Sequence, residues 1–316
     1  MPELLDHRLL FITGKGGVGK STVATVLGML AAQQGLRTIV AELSSQEHVQ
    51  RAFEQEGERF SELELGPGLF TISIDAQAAM EEYLTVKTGT LGQMLGSSKL
   101  FNAFAMATPG MRELLSIGKV WELAQLERHT SGAAPYDFVV VDAPATGHGV
   151  GILRTPRTFS EIAMVGPIAR QGSRIATTIA DPEFTCIVAV ATPEEMAVNE
   201  TLALRDALAR EELALDLVVV NALYRERFDS AEIAELDAAL PRTRSPLVRS
   251  ALRAALSEHA RAATQHEQLQ RLYDELDVPI VELPYVFADH LGVPELQVLA
   301  SELEAALTAV QPTVRR

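Results

Sequence analysis

Nine consecutive residues, Gly14-Lys15-Gly16-Gly17-Val18-Gly19-Lys20-Ser21-Thr22, have the composition of a phosphate-binding loop. They satisfy G-x-x-x-x-G-K-[ST], and each position has a physical reason. Glycines let the backbone turn tightly, so that successive N–H groups point at one set of phosphate oxygens. The apolar run Leu9-Leu10-Phe11-Ile12 before the loop reads as a buried strand, and Thr22 to Gln34 after it has helical character. A helix starting there adds the partial positive charge of its N-terminus. Lys20 would reach the β- and γ-phosphates, and the Ser21 hydroxyl would be a Mg²⁺ ligand. Gly14, Gly16, Gly17, Val18, Gly19, Lys20, Ser21 and Thr22 are therefore expected to contact a nucleoside triphosphate. Lys15 is unusual, because it stands too far back in the loop to be needed by that loop's own phosphates.

A second group of residues fits the same chemistry. Val139-Val140-Val141-Asp142 ends an apolar, β-branched run with a carboxylate. Ligands of parallel sheets bind beyond the carboxyl ends of their strands, so Asp142 is placed to support Mg²⁺ opposite Ser21, directly or through a water. Gly147 in the following loop would bring backbone near the γ-phosphate and let that loop sense its loss. His148 beside it reads as a loop-positioning residue rather than a base.

The elements that must carry these groups follow from hydrophobic runs. Strands are expected at 37–41, 69–74, 137–141, 185–191, 215–220 and 278–283, alternating with helical stretches. This predicts an α/β fold with a mostly parallel, doubly wound sheet, as a single domain over 1–316. The stretch from about 76 to 132 is helical in tendency and reads as an inserted helical subdomain. It contains Met80, Met94, Met106 and Met111, which either line an adaptable binding groove or pack as ordinary core. A further helix is expected from Pro294 to Val310.

Composition narrows the class. Apolar residues are 47 % of the 316, and no run approaches the ~18 residues of a membrane span. No charged-then-apolar leader is evident, so a cytoplasmic protein without direct membrane insertion is expected. A formal net charge of −15 argues against a nucleic-acid partner. Basic residues between Arg242 and Arg271 are interrupted by Glu258 and Glu267, as on a solvated helix face. Cys186 is the single cysteine, which excludes an intrachain disulfide, and its apolar neighbours suggest a buried thiol.

The ordered set GKGGVGKST (14–22), PGMRELLSIGKVWEL (109–123), YDFVVVDAPATGHGVGILRTP (136–156), ATPEEMAVNET (191–201) and VVVNALY (218–224) resembles the ArsA/GET-type ATPase family, a deviant Walker A group. That family includes the arsenite-pump ATPase and the eukaryotic factor that delivers tail-anchored membrane proteins. The resemblance implies a Mg²⁺-dependent ATPase that closes as a dimer on ATP, either with itself or with an ArsA-like paralogue, and couples hydrolysis to a client protein. It also implies that Lys15 crosses the dimer interface to the partner's nucleotide, in the manner of an arginine finger. A solvated lysine that raises local phosphate affinity is the alternative. By the same likeness Asn221 would hydrogen-bond adenine, with Pro284 and Phe287 on the adenine-side loop, although a strand-end turn also explains Asn221.

The sequence departs from the family in three places. Anchored without a gap on Arg51-Ala52-Phe53, Ser44 falls where the family's switch I aspartate orients the attacking water. A hydroxyl positions water but does not accept its proton as a carboxylate does, so Glu42 or Glu47 would substitute or hydrolysis would be slow. The zinc-binding C-x-x-C pair and the arsenite-sensing cysteines are both absent. The stretch between His148 and Cys186 is also shorter than the client-groove region of the targeting factors. A hydrolysis-poor regulatory subunit paired with an active paralogue is the competing reading, and Ser44 is the residue that favours it.

Overall fold

The computed structural model describes residues 2–43, 47–88, 108–129, 132–163 and 167–309. Among them, in chain order, α1 (Pro2–Asp6) precedes β1 (Leu9–Thr13), α2 (Lys20–Gln33), β2 (Thr38–Glu42) and α3 (His48–Ala52). Next come β3 (Leu63–Gly66), β4 (Leu69–Ser73), α4 (Ala76–Thr88), α5 (Met111–Leu123) and β5 (Phe138–Asp142). Then follow α6 (Thr146–Ala163), α7 (Pro167–Ala180), β6 (Thr185–Ala191), α8 (Glu195–Arg210) and β7 (Leu217–Leu223). The chain closes with α9 (Ser230–Ala239), α10 (Pro246–Glu275), β8 (Ile280–Pro284) and α11 (Val293–Ala309).

One sheet has the order β3-β4-β2-β5-β1-β6-β7-β8. All neighbours in it are parallel except the edge pair β3–β4. From β1 the chain winds first toward β2 and β4, returns to insert β5, and then crosses to β6, β7 and β8. The order reverses at β1, and the crevice beyond its carboxyl end is where such sheets bind ligands.

Strand residues alternate between two apolar layers. Leu10, Ile12, Val140 and Val188 face α2 and α11, whereas Leu9, Phe11, Val139 and Ile187 face α5, α7 and α8. Burial on both faces explains why these strands read as unbroken apolar runs. Cys186 lies in the first layer and is 2 % exposed. Two differences from the sequence reading have local causes. β3 was not expected, since its LELG sequence has no apolar run and it borders only β4. β7 runs on to Leu223, because Ala222 at φ 62 accommodates an irregularity before Leu223 pairs with Pro284. α10 is a single 30-residue helix with only Ala262, Leu269 and Leu272 buried.

Helix α5 belongs to the core, since Ile117, Val120 and Leu123 are each 1 % exposed or less. Next to it lies a buried ionic network. Arg128 Nε donates to Glu122 Oε1 at 2.8 Å and its Nη2 to Glu62 Oε1 at 2.5 Å. Lys119 Nζ is 3.0 Å from Glu122 Oε2 and 2.8 Å from Glu82. Burial alone would raise the Glu122 carboxyl, but Arg128, Lys119 and the His129 N–H hold it below its ordinary range. Met80 and Met111 line a cavity of about 190 Å³ above this network, with Leu114, Leu115 and Ile175. Met94 and Met106 lie outside the described residues.

Glu122 is 2 % exposed, so removing its strongest partner leaves a buried charge undercompensated. Arg128→Met is expected to lower stability by about 3–5 kcal/mol in urea denaturation. Adding Glu122→Gln to that variant should recover part of the loss.

Candidate functional site

The loop between β1 and α2 is fastened at both ends. Gly14 has φ +142, and a Cβ there would lie 2.1 Å from the Val190 carbonyl oxygen of β6. Gly19 has φ +91, and a Cβ there would lie 2.3 Å from Asn221 Nδ2 of β7. Both positions therefore require glycine, for backbone conformation and for space. Asn221 Nδ2 donates to the Val18 carbonyl at 2.9 Å, tying β7 to the crown of the loop. Lys20 Nζ donates to the Lys15 carbonyl at 3.0 Å, closing the loop on itself.

The pairing of β1 with β5 sets Ile12 beside Asp142, so the carboxylate emerges next to the start of α2. There Ser21 Oγ donates to Asp142 Oδ2 at 2.5 Å. Asp142 is only 3 % exposed. Burial raises its carboxyl above the ordinary range, opposed by the Ser21 hydrogen bond and by Lys20 and His48. Burial likewise lowers the Lys20 ammonium, against the pull of Asp142 and Glu200.

A cavity of about 740 Å³ opens over this corner. Gly16, Gly17, Gly19, Lys20, Ser21, Thr22 and Asp142 line it. This glycine cradle, with a lysine and a serine–carboxylate pair at its floor, fits a triphosphate and one divalent cation. A hard cation of Mg²⁺ size needs few protein oxygens and takes the rest from phosphate and water.

The remaining sequence candidates are distributed as follows. Lys15 extends toward α8, with Nζ 4.0 Å from Glu200 Oε1. Gly147 falls in the first turn of α6. Pro284 ends β8 and pairs with Leu223. Phe287 is 62 % exposed and belongs to an aromatic cluster. In it Tyr224 and Tyr285 stack at 5.0 Å, and Phe287 meets Tyr285 edge-on at 4.8 Å. Tyr224 and Tyr285 line a third cavity of about 730 Å³, distinct from the one over Lys20. Ser44 lies outside the described residues.

Sequence reasoning did not single out His48, Arg51 and His290, all of which line the Lys20 cavity. The available signal was a pair of basic residues one turn apart, just after the second strand. Glu42, which the sequence offered with Glu47 as a substitute for the switch I aspartate, takes a different place. It is fully buried at the end of β2, in register with Asp142. Its Oε1 accepts the main-chain N–H of His48 at 2.7 Å and of Val49 at 3.3 Å, while Oε2 has no hydrogen-bond partner among the described residues. Burial pushes the Glu42 carboxyl up to about 7; Asp142 and Glu47 add to this, and the two N–H groups oppose it.

Comparison with known proteins agrees with this geometry. The anion-transporting ATPase (ArsA) family model matches residues 7–165 and 161–240, and the chain belongs to that family. It is 29 % identical over 322 residues to the ATPase BagA of Mycobacterium tuberculosis, covering 95 % of this chain and 94 % of the relative. The ATPase GET3A of Arabidopsis thaliana is 24 % identical over 352 residues, covering 99 % and 88 %. An arsenical pump-driving ATPase of Escherichia coli is 25 % identical over 235 residues, covering 68 % of this chain and 39 % of its own length. The chain is thus an ATP hydrolase of the ArsA/GET type. Among the described residues no helix is long and apolar enough to cross a membrane.

The raised Glu42 value fixes a pH dependence. The folded state favours the protonated carboxyl, so the Glu42 contribution to stability is fully present below its unfolded value of 4.5 and is lost as pH rises toward 7. The decline should reach up to roughly 3 kcal/mol. Urea midpoints between pH 4.5 and 7.5 should show it, and Glu42→Gln should flatten it. Equal slopes in the two proteins would remove Glu42 as its source.

Proposed function

We propose that this ATP hydrolase is a Mg²⁺-dependent nucleotide switch that works as a dimer, coupling ATP binding and hydrolysis to the binding of a client or partner protein. The observation that carries the reading is the corner formed by Lys20, Ser21 and Asp142 beneath a glycine cradle, with Lys15 leaving the same loop in another direction. Gly16 to Thr22 and the start of α2 hold the phosphates through main-chain N–H groups. Lys20 exchanges its contact with the Lys15 carbonyl for phosphate oxygen. Ser21 and Asp142 would hold Mg²⁺, which would supply positive charge to offset that building on the transferring phosphoryl group.

Lys15 has its ammonium beside Glu200 on α8, half-exposed and outside the lining of its own loop's cavity. In a two-fold dimer that face would meet its own copy, and Lys15 would exchange a weak ion pair for the partner's terminal phosphate. ATP then favours the closed dimer through contacts that ADP does not make, and any partner that distinguishes open from closed reads the nucleotide. Asn221 holds Val18 through its side-chain nitrogen, and its side-chain oxygen is the acceptor suited to a base amino group.

Phosphate release with Mg-ATP, measured with mass by light scattering, tests this directly. Lys20→Ala and Asp142→Ala should each abolish turnover. Lys15→Ala should cut kcat about a hundredfold or more while ATP still binds. Mass should double with ATP. A monomer at every nucleotide load, with full turnover, would remove the dimer. Tight ATP binding with no turnover would favour a regulatory subunit paired with a paralogue.

A further inference from the structure

Two basic side chains in the Lys20 cavity are not accounted for by the phosphate-loop motif. His48 and Arg51 stand one turn apart on α3, and both line the space that also contacts Lys20, Ser21 and Asp142. The helix does not present them by chance. Val49 and Gln50, between them, are 1 % and 3 % exposed, and Val49 packs in the same apolar layer as α2. Gln50 Oε1 accepts the Gly57 N–H at 3.1 Å. With that face buried, the opposite face carrying His48 and Arg51 is left toward the cavity.

The start of the helix is clamped as well. Glu47, at φ 49, turns the chain sharply just before His48. Glu42 then accepts the first two main-chain N–H groups, at 2.7 and 3.3 Å. A fully buried carboxyl at a strand end costs free energy, so its two N–H contacts are what keep it there.

The sheet order says which part of a nucleotide would meet α3. Across the sheet lie β7 with Asn221, then β6, β1 with the loop, β5 with Asp142, and β2 leading into α3. A nucleotide with its base toward β7 and its phosphates over β1 directs its last phosphate toward β5 and β2. That is the side on which Arg51 and His48 stand. Among the described residues lining the cavity, the basic side chains of Lys20, Arg51, His48 and His290 accompany a single carboxylate, Asp142.

We propose that Arg51, with His48 beside it, is a ligand of the terminal phosphate supplied by the same chain, and that Glu42 is the positioning residue that holds α3 there. This rests on the reading of the cavity as the ATP site. It would give the chain a means to distinguish ATP from ADP that does not depend on Lys15 or on a second subunit.

Calorimetric titration of Mg-ATP and Mg-ADP tests this. Arg51→Ala should weaken ATP about tenfold and leave ADP unchanged, as expected for one charge-assisted contact. Arg51 is exposed, so this variant folds and decides the phosphate contact. Glu42→Ala should show the same selective loss, and so should Glu42→Asp, which is one methylene too short. Glu42→Gln, which keeps an acceptor oxygen, should bind as the wild type does. Arg51→Ala combined with Glu42→Ala should be no worse than Arg51→Ala alone. Unchanged ATP affinity in Arg51→Ala, or equal loss of ATP and ADP, overturns the phosphate contact. Additive losses in the double variant overturn the role of Glu42. A wild-type protein that binds neither nucleotide overturns the cavity assignment itself.

Discussion

The hydrogen bond from Ser21 to Asp142 is the constraint on which the rest of the architecture depends. It joins the first turn of α2 to the last residue of β5, 121 positions apart in the chain. For it to form, β1 and β5 must be adjacent, parallel and in register, and the loop between β1 and α2 must turn within a few residues. An O–H donating to a buried carboxylate is a charge-assisted bond, short and directional. Burial strengthens that attraction and also raises the cost of leaving the carboxylate without a partner. The apolar strands do more than fill a core, since they bring a charge to a place where water would not otherwise leave it.

Much of this could be read directly from the amino acids. The phosphate loop is legible because its glycines have local reasons. The central strands are legible because burial on both faces leaves unbroken apolar runs, and a carboxylate ending such a run marks a sheet's ligand edge. What could not be read depends on partners distant in sequence. Glu42 is legible as a carboxylate near the expected switch I position, but only the fold reveals that it is buried and accepts the first N–H groups of α3. Asn221 reaches Val18 across 203 positions, a bond that neither segment announces. β3 lacks an apolar signature because an edge strand buries little. The network of Arg128, Glu122, Glu62 and Lys119 has no spacing rule, because its members converge from separate elements.

The two faces of the sheet do different work. α2 and α11 cover one face, and the α2 side leads directly into the phosphate corner. α5, α7 and α8 cover the other, together with the cavity that holds Met80 and Met111. The ionic network of Arg128, Glu122, Glu62 and Lys119 lies on that second side, next to this cavity. The strands are common to both layers, so a displacement at the carboxyl edge of β5 or β2 is felt by packing on either side.

The fastening of the phosphate loop has a consequence for kinetics. Gly14 is pressed against Val190, and Val18 and Gly19 are held by Asn221, so the loop has its shape before any ligand arrives. A preformed cradle loses little conformational entropy on binding, because that ordering was completed when the sheet folded. The encounter step is then governed by diffusion and charge rather than by waiting for a rare open form. Differences in affinity among bound nucleotides fall on their rates of departure.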